Sequence, residues 1–299
     1  MRARLCGLGL FAVLSLVSGG ANAQDNPAEK PQDGAIVVTG QRDVPREAAQ
    51  KYVQQISSSV DGQLIQFREP VCPVVLGYGE QYNAIVQRRI RTIAAEAGVP
   101  LAGEKCEANL VLIIANDADA LVKSLRKELP RLFDGVDKDA LKRAFQEGPV
   151  HVWNATQLRS RDGKTVVHVP GKEGSKFENA LQVQSASIIE QTTLRAIVGA
   201  VVVIDGDATM GKTLNQIADY TAMRALAGAR PPRQSVEPTT ILTLFEPAGT
   251  APREATSFDR SYLSGLYHSR PTARSTTAMG SISAQIVRNA KEDDGKEKN

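Results

Sequence analysis

Two long apolar runs stand out from an otherwise mixed pattern. Residues 108–115 and 196–205 are hydrophobic at almost every position rather than at every second one, as in strands covered on both faces. Shorter β-prone stretches lie at 63–67, 71–76, 151–155, 164–169 and 185–189, and Arg161-Asp162-Gly163-Lys164 suits a hairpin turn. Helical spacing takes over at 80–97. There Ile85, Ile90, Ile93, Ala94 and Ala97 approximate one face, Arg88, Arg89 and Arg91 fall largely outside it, and Gly98 stops the helix. Helices are also predicted at 117–129 and 137–146, each opened by an aspartate suited to the N-cap or first turn. Three more follow: 212–226, with Leu214, Ile217, Ala218, Thr221, Ala222 and Ala225 on a small-residue face; 258–267, with Tyr262, Leu263, Leu266 and Tyr267 inward; and 278–290. Residues 229–238 form a proline-rich connector and 239–245 a short apolar segment. Interspersed strands and helices predict an α+β or α/β domain over 48–290, with a mixed sheet and packed helices.

The ends differ from the middle. Arg2 and Arg4 lead an apolar stretch at 5–17, and Ala21-Asn22-Ala23 follows: the layout of a secretory signal peptide cleaved after Ala23. The apolar stretch is shorter than the ~20 residues of a membrane span. The expected location is therefore periplasmic or secreted. Residues 24–47 are rich in Pro, Gln, Asp, Gly and Ala and predict a disordered arm, and the charged residues 291–299 predict a fraying tail. Without Arg2 and Arg4 the formal net charge falls from +3 to +1, which leaves no electrostatic footprint for nucleic acid. Cys6 leaves with the leader. Cys72 and Cys106 then predict one disulfide between neighbouring strands, its loop closure worth ~3.8 kcal/mol in the chain-entropy model.

Candidate chemistry is sparse. Gly206-Asp-Ala-Thr-Met-Gly211-Lys212-Thr213 spells a phosphate-binding loop between an apolar strand and a helix, and implies a nucleotide-binding enzyme using Lys212 and Thr213. Against it stand an exported location, where nucleoside triphosphate is scarce, and the place of the loop late in the chain. The competing expectation is a strand-to-helix turn in which Gly211 permits the bend and Thr213 or Thr209 caps the helix. His151, His168 and His268 are the only histidines, and no two stand at i and i+4. His151 and His168 could meet if their strands pair. Asp205 and Asp207 suit a cation or a hydroxylated ligand at a strand end, or serve as turn and cap residues. No Gly-x-Ser-x-Gly elbow occurs; a hydrolase with a carboxylate pair remote in sequence stays open.

Several segments together carry a resemblance: Phe67-Arg-Glu-Pro-Val-Cys72-Pro73, the apolar strand after Cys106, Leu214-x-x-Ile-Ala-Asp219-Tyr220-x-x-Met223, and Phe258-Asp259-x-x-Tyr262-Leu-x-x-Leu266-Tyr267. The chain resembles an uncharacterised family of secreted alphaproteobacterial proteins, itself similar to zincin-type metallopeptidases. The resemblance implies a zincin-like domain in which Ala218 and Ala222 stand where the zinc histidines would be and Asp219 replaces the catalytic glutamate. Such a scaffold lacks the metal clamp and is expected to need no cofactor. It implies peptide or protein binding in a groove beside residues 212–226 and 196–205. Separately, Ile36-Val37-Val38-Thr39-Gly40-Gln41-Arg42 is similar to the TonB boxes of outer-membrane transporters, which implies strand addition to an envelope partner.

Overall fold

Which strands lie at the centre follows from their lack of polar positions. The computed structural model describes residues 45–169, 178–181, 191–234, 239–247 and 251–296. In chain order the elements are α1 (Arg46–Ile56), β1 (Ser59–Val60), β2 (Gln63–Leu64), β3 (Gln66–Phe67), β4 (Pro73–Leu76), α2 (Glu80–Glu96), β5 (Leu110–Ala115), α3 (Ala118–Glu128) and α4 (Lys138–Ala144). There follow β6 (Val150–Ser160), β7 (Val167–Val169), β8 (Glu178–Ala180), β9 (Thr193–Asp205), α5 (Leu214–Ala227), α6 (Ser257–His268) and α7 (Ser275–Lys296).

β9 is the hub of the main sheet. Antiparallel β6 pairs with one of its edges along nearly its whole length, across a register shift at Ala155/Thr156. The other edge takes two parallel partners, β3 against Ala196 and Ile197 and β5 against Ala200–Asp205. β4 pairs in parallel outside β5. Alternate residues of β5 and β9 serve different layers: Leu110, Leu112, Ile114, Val202 and Ile204 join the larger core, whereas Ile113, Ala115, Val201 and Val203 face a smaller one around Trp153, Ala118, Val122 and Ala144. Apolar layers on both faces explain why these two strands lack polar alternation.

The larger core packs α1, α2, α5, α6 and α7 on one face of the sheet; α3 and α4 cover the other. α5 is buried almost all round, which is why its sequence shows so weak an amphipathic pattern. Its small residues let α2 lie close alongside. Asp117 caps α3 and Asp137 caps α4, each accepting from backbone N–H groups as their sequence positions implied.

The disulfide joins Cys72 and Cys106, with Cα atoms 6.0 Å apart, and ties the approaches to the paired strands β4 and β5. Seven α-helices among the described residues alternate with strands, so the mixed α/β character holds. The sheet is mostly parallel, a more α/β-like arrangement than the segregated α+β one. Arg46 and Glu47, expected in the arm, belong to α1, and the charged tail from residue 291 is helical as far as Lys296. The apolar segment near 241 forms a short 3-10 turn, Ile241–Thr243. Residues 1–23, the segment Ile36–Thr39 and the strand expected at 185–189 lie outside the described residues. Among the described residues no helix is long and apolar enough to cross a membrane.

Candidate functional site

The turn after β9 uses its own donors. Gly206 N donates to Ala115 O (2.7 Å), Thr209 N to Gly206 O (3.0 Å), Met210 N to Asp207 O (3.2 Å) and Lys212 N to Thr209 O (3.0 Å). Asp207 N donates to Asp205 Oδ1 (3.0 Å). Thr213 and Gln216 form a capping box at the start of α5: Thr213 N donates to Gln216 Oε1, and Thr213 Oγ1 accepts from Gln216 N. A phosphate cradle needs these N–H groups free and convergent, whereas most of them here close the turn. Gly211, at φ 75°, supplies the bend. Lys212 Nζ lies 5.3 Å from the centroid of the Phe245 ring. Asp205 Oδ2 also accepts from Ala118 N at the start of α3 (3.3 Å), so both of its oxygens are engaged.

The positions aligned with a zinc clamp are core positions. Ala218, Asp219 and Ala222 are all fully buried. Asp219 accepts from Arg89 Nε (2.7 Å) and Arg89 Nη2 (2.9 Å), and from Ala255 N (2.7 Å). Those hydrogen bonds are the leading reason the Arg89 guanidinium is held above its usual range. Arg89 and Arg260 also reach Glu254, each at 3.0 Å. Burial acts to raise the Glu254 carboxyl, but the two arginines outweigh it and the net displacement is downward. This network fastens α2 and α5 to the approach to α6. It is structural, since every oxygen of Asp219 already has a partner.

The histidines stay apart. His151 in β6 bonds through Nδ1 to Ala144 O (2.8 Å), with Nε2 3.3 Å from Asp119 Oδ1. His168 lies in β7, which pairs with β8 rather than with β6, so the pairing that would join the two does not form. His268 closes α6 and bonds to Ser264 O (2.7 Å). Among the described residues, no group of three or more His, Cys, Asp or Glu side chains is placed to hold a metal ion.

What the sequence did not single out is a pocket between α1, α4, α5 and β6, with a volume of about 560 Å³. Val60, Ile65, Val150 and Val152 contribute apolar wall; Gln54, Gln55, Ser58 and Asn154 contribute neutral polar groups. Arg143, Arg224, Arg230 and Arg233 converge on it, against one carboxylate among the described residues, Asp137. Gly228 shapes one wall. It caps α5 at φ 58°, and a Cβ there would come within 2.8 Å of Ile65 Cδ1. A larger cavity of about 680 Å³ lies beside α6, but two of its charged residues, Glu254 and Arg260, are paired with each other. The arginine pocket is the better candidate because, among the described residues, its arginines form no ion pair. The only sequence trace of it is the closeness of Arg230 and Arg233 to the end of α5; Arg143 comes from another layer.

Fold and site together define a mixed α/β protein with a cationic, apolar-floored pocket. Compared with family models, curated proteins and solved structures, the chain matches none.

Proposed function

We propose that this is an exported, non-catalytic binding protein of the cell envelope, a peptidase-like scaffold without its metal clamp that holds a peptide or protein partner. The observation that carries the reading is the make-up of the pocket between α1, α4, α5 and β6. Apolar floor, amides and guanidinium groups orient a ligand, and among the described residues no histidine or cysteine lines the pocket with them. The engagement of Asp219 by Arg89 and Ala255 N supports the same view, because that carboxylate has no free face for activating water. The turn at Gly206–Thr213, with most of its backbone donors already engaged, favours a helix start over a nucleotide site. In this reading Ile36, Val37, Val38 and Thr39 add a second contact by strand pairing with the partner.

Photocrosslinking in the producing cell tests the reading. A photoreactive amino acid at Gln55 or Ala140, both lining the pocket, is expected to yield a discrete peptide or protein adduct that the same group at exposed Lys105 does not. Equal yields at all three positions overturn the binding role. Stoichiometric zinc held through His151, or nucleotide binding abolished by Lys212→Ala, overturns the non-catalytic one.

A further inference from the structure

The strongest unexplained feature is positive charge without a counter-charge. Among the described residues, none of Arg143, Arg224, Arg230 and Arg233 takes part in an ion pair. Arg224 bonds through Nη1 to the Tyr220 hydroxyl, while its Nε is buried with no partner. Arg230 uses Nη2 on Ser57 O (3.1 Å). Its guanidinium is held below the usual arginine range, first by burial and then by Arg143, Arg233 and Arg224.

Among the described residues nothing else on the pocket wall answers this charge. Asp137 is committed to the first turn of α4, accepting from Asp139 N and Ala140 N. The negative end of α5 is covered too. Met223 O accepts from Gly228 N and Ala229 N, Ala225 O from Asn154 Nδ2, and Leu226 O from the Tyr267 hydroxyl. Arginines brought together in this way repel one another, and an anion relieves that repulsion.

The wall also indicates what kind of anion. Apolar surface from Val60, Ile65, Val150 and Val152 adds nothing for a bare inorganic ion but gains from covering by a hydrocarbon side chain. Gln54, Gln55 and Ser58 offer both donors and acceptors, the set that peptide amides require. A volume of about 560 Å³ admits a few residues and not a folded domain. We infer that this pocket takes an acidic peptide segment, with carboxylates on the arginines and an intervening apolar side chain on the floor. The inference rests on the binding-protein reading and adds the chemistry of the ligand.

Fluorescence anisotropy tests it, with the purified protein and a labelled, C-terminally amidated Glu-Leu-Glu-Leu-Glu peptide. Saturable binding is expected, weakening tenfold or more in Arg224→Gln and in Arg230→Gln and falling steeply with added salt. Arg143→Gln with Arg233→Gln, both exposed, is expected to weaken binding similarly and keeps the test valid if the half-buried sites do not tolerate change. Lys105→Gln with Lys127→Gln, equal in charge and outside the pocket lining, is expected to leave binding unaltered. Three results overturn the inference: no binding of this peptide, equal binding of Gln-Leu-Gln-Leu-Gln, or full displacement by equimolar inorganic phosphate. If the Gln55 crosslink persists while the acidic peptide fails, the binding role stands and only the ligand chemistry falls.

Discussion

Asp219 shows how burial changes what a carboxylate does. On an exposed surface it would bond to water; inside α5 Arg89 donates to both of its oxygens and Ala255 N adds a third hydrogen bond. Asp219→Ala leaves that guanidinium without its main partner, and a loss of about 3 kcal/mol is expected from the urea midpoint. A catalytic role would instead abolish an activity while sparing stability. Tyr262 gives a second expectation. Burial pushes its hydroxyl up to about 12, against the opposing effects of Ser57 and Arg230. A raised folded-state pKa means that the unfolded chain releases its proton first as pH rises. The associated stability is therefore intact below about 10 and drains away between about 10 and 12, at up to about 1.4 kcal/mol per pH unit. Tyr262→Phe should flatten that decline, read from denaturation midpoints across the range. Asp219 was visible in the sequence as a candidate acid, but its partner lies 130 residues earlier, on a helix whose arginines read as solvent-facing.

At the scale of elements, local chemistry decides the ends. The capping box at Thr213 should make Thr213→Ala cost about 1 kcal/mol, while Lys212→Ala, at a side chain resting beside Phe245, should leave the melting temperature nearly unchanged. Calorimetry of the two variants checks this; equal losses would mean that the lysine holds the turn. Helix starts at Asp117 and Asp137 were legible because capping depends on neighbours in sequence, whereas at α5 the sequence left Thr209 and Thr213 both open and the structure selects Thr213. The length of β6 was not. Gln157 and Arg159 look like loop residues until β9 supplies a partner along Thr193–Ile197. Nor was α1, whose polar stretch buries only Ala49, Tyr52, Val53 and Ile56.

Over the whole molecule the disulfide and the pocket show opposite degrees of legibility. Cys72 and Cys106 could be paired from the sequence, whereas four arginines from α4, α5 and the following connector become a cluster only through the fold. Reducing Cys72–Cys106, or replacing both residues by serine, is expected to lower stability by roughly 2–4 kcal/mol in chemical denaturation. A smaller change would indicate that packing between β4 and β5 already restrains the unfolded chain there. The central place of β9 has a further outcome in time. β3, β5 and β6 all await a strand that leaves the ribosome after every one of them, and Gln66 must find Ala196 across about 130 residues. Until that strand arrives only β4 and β5 of the main sheet can pair, so the sheet closes late and around its last-made member.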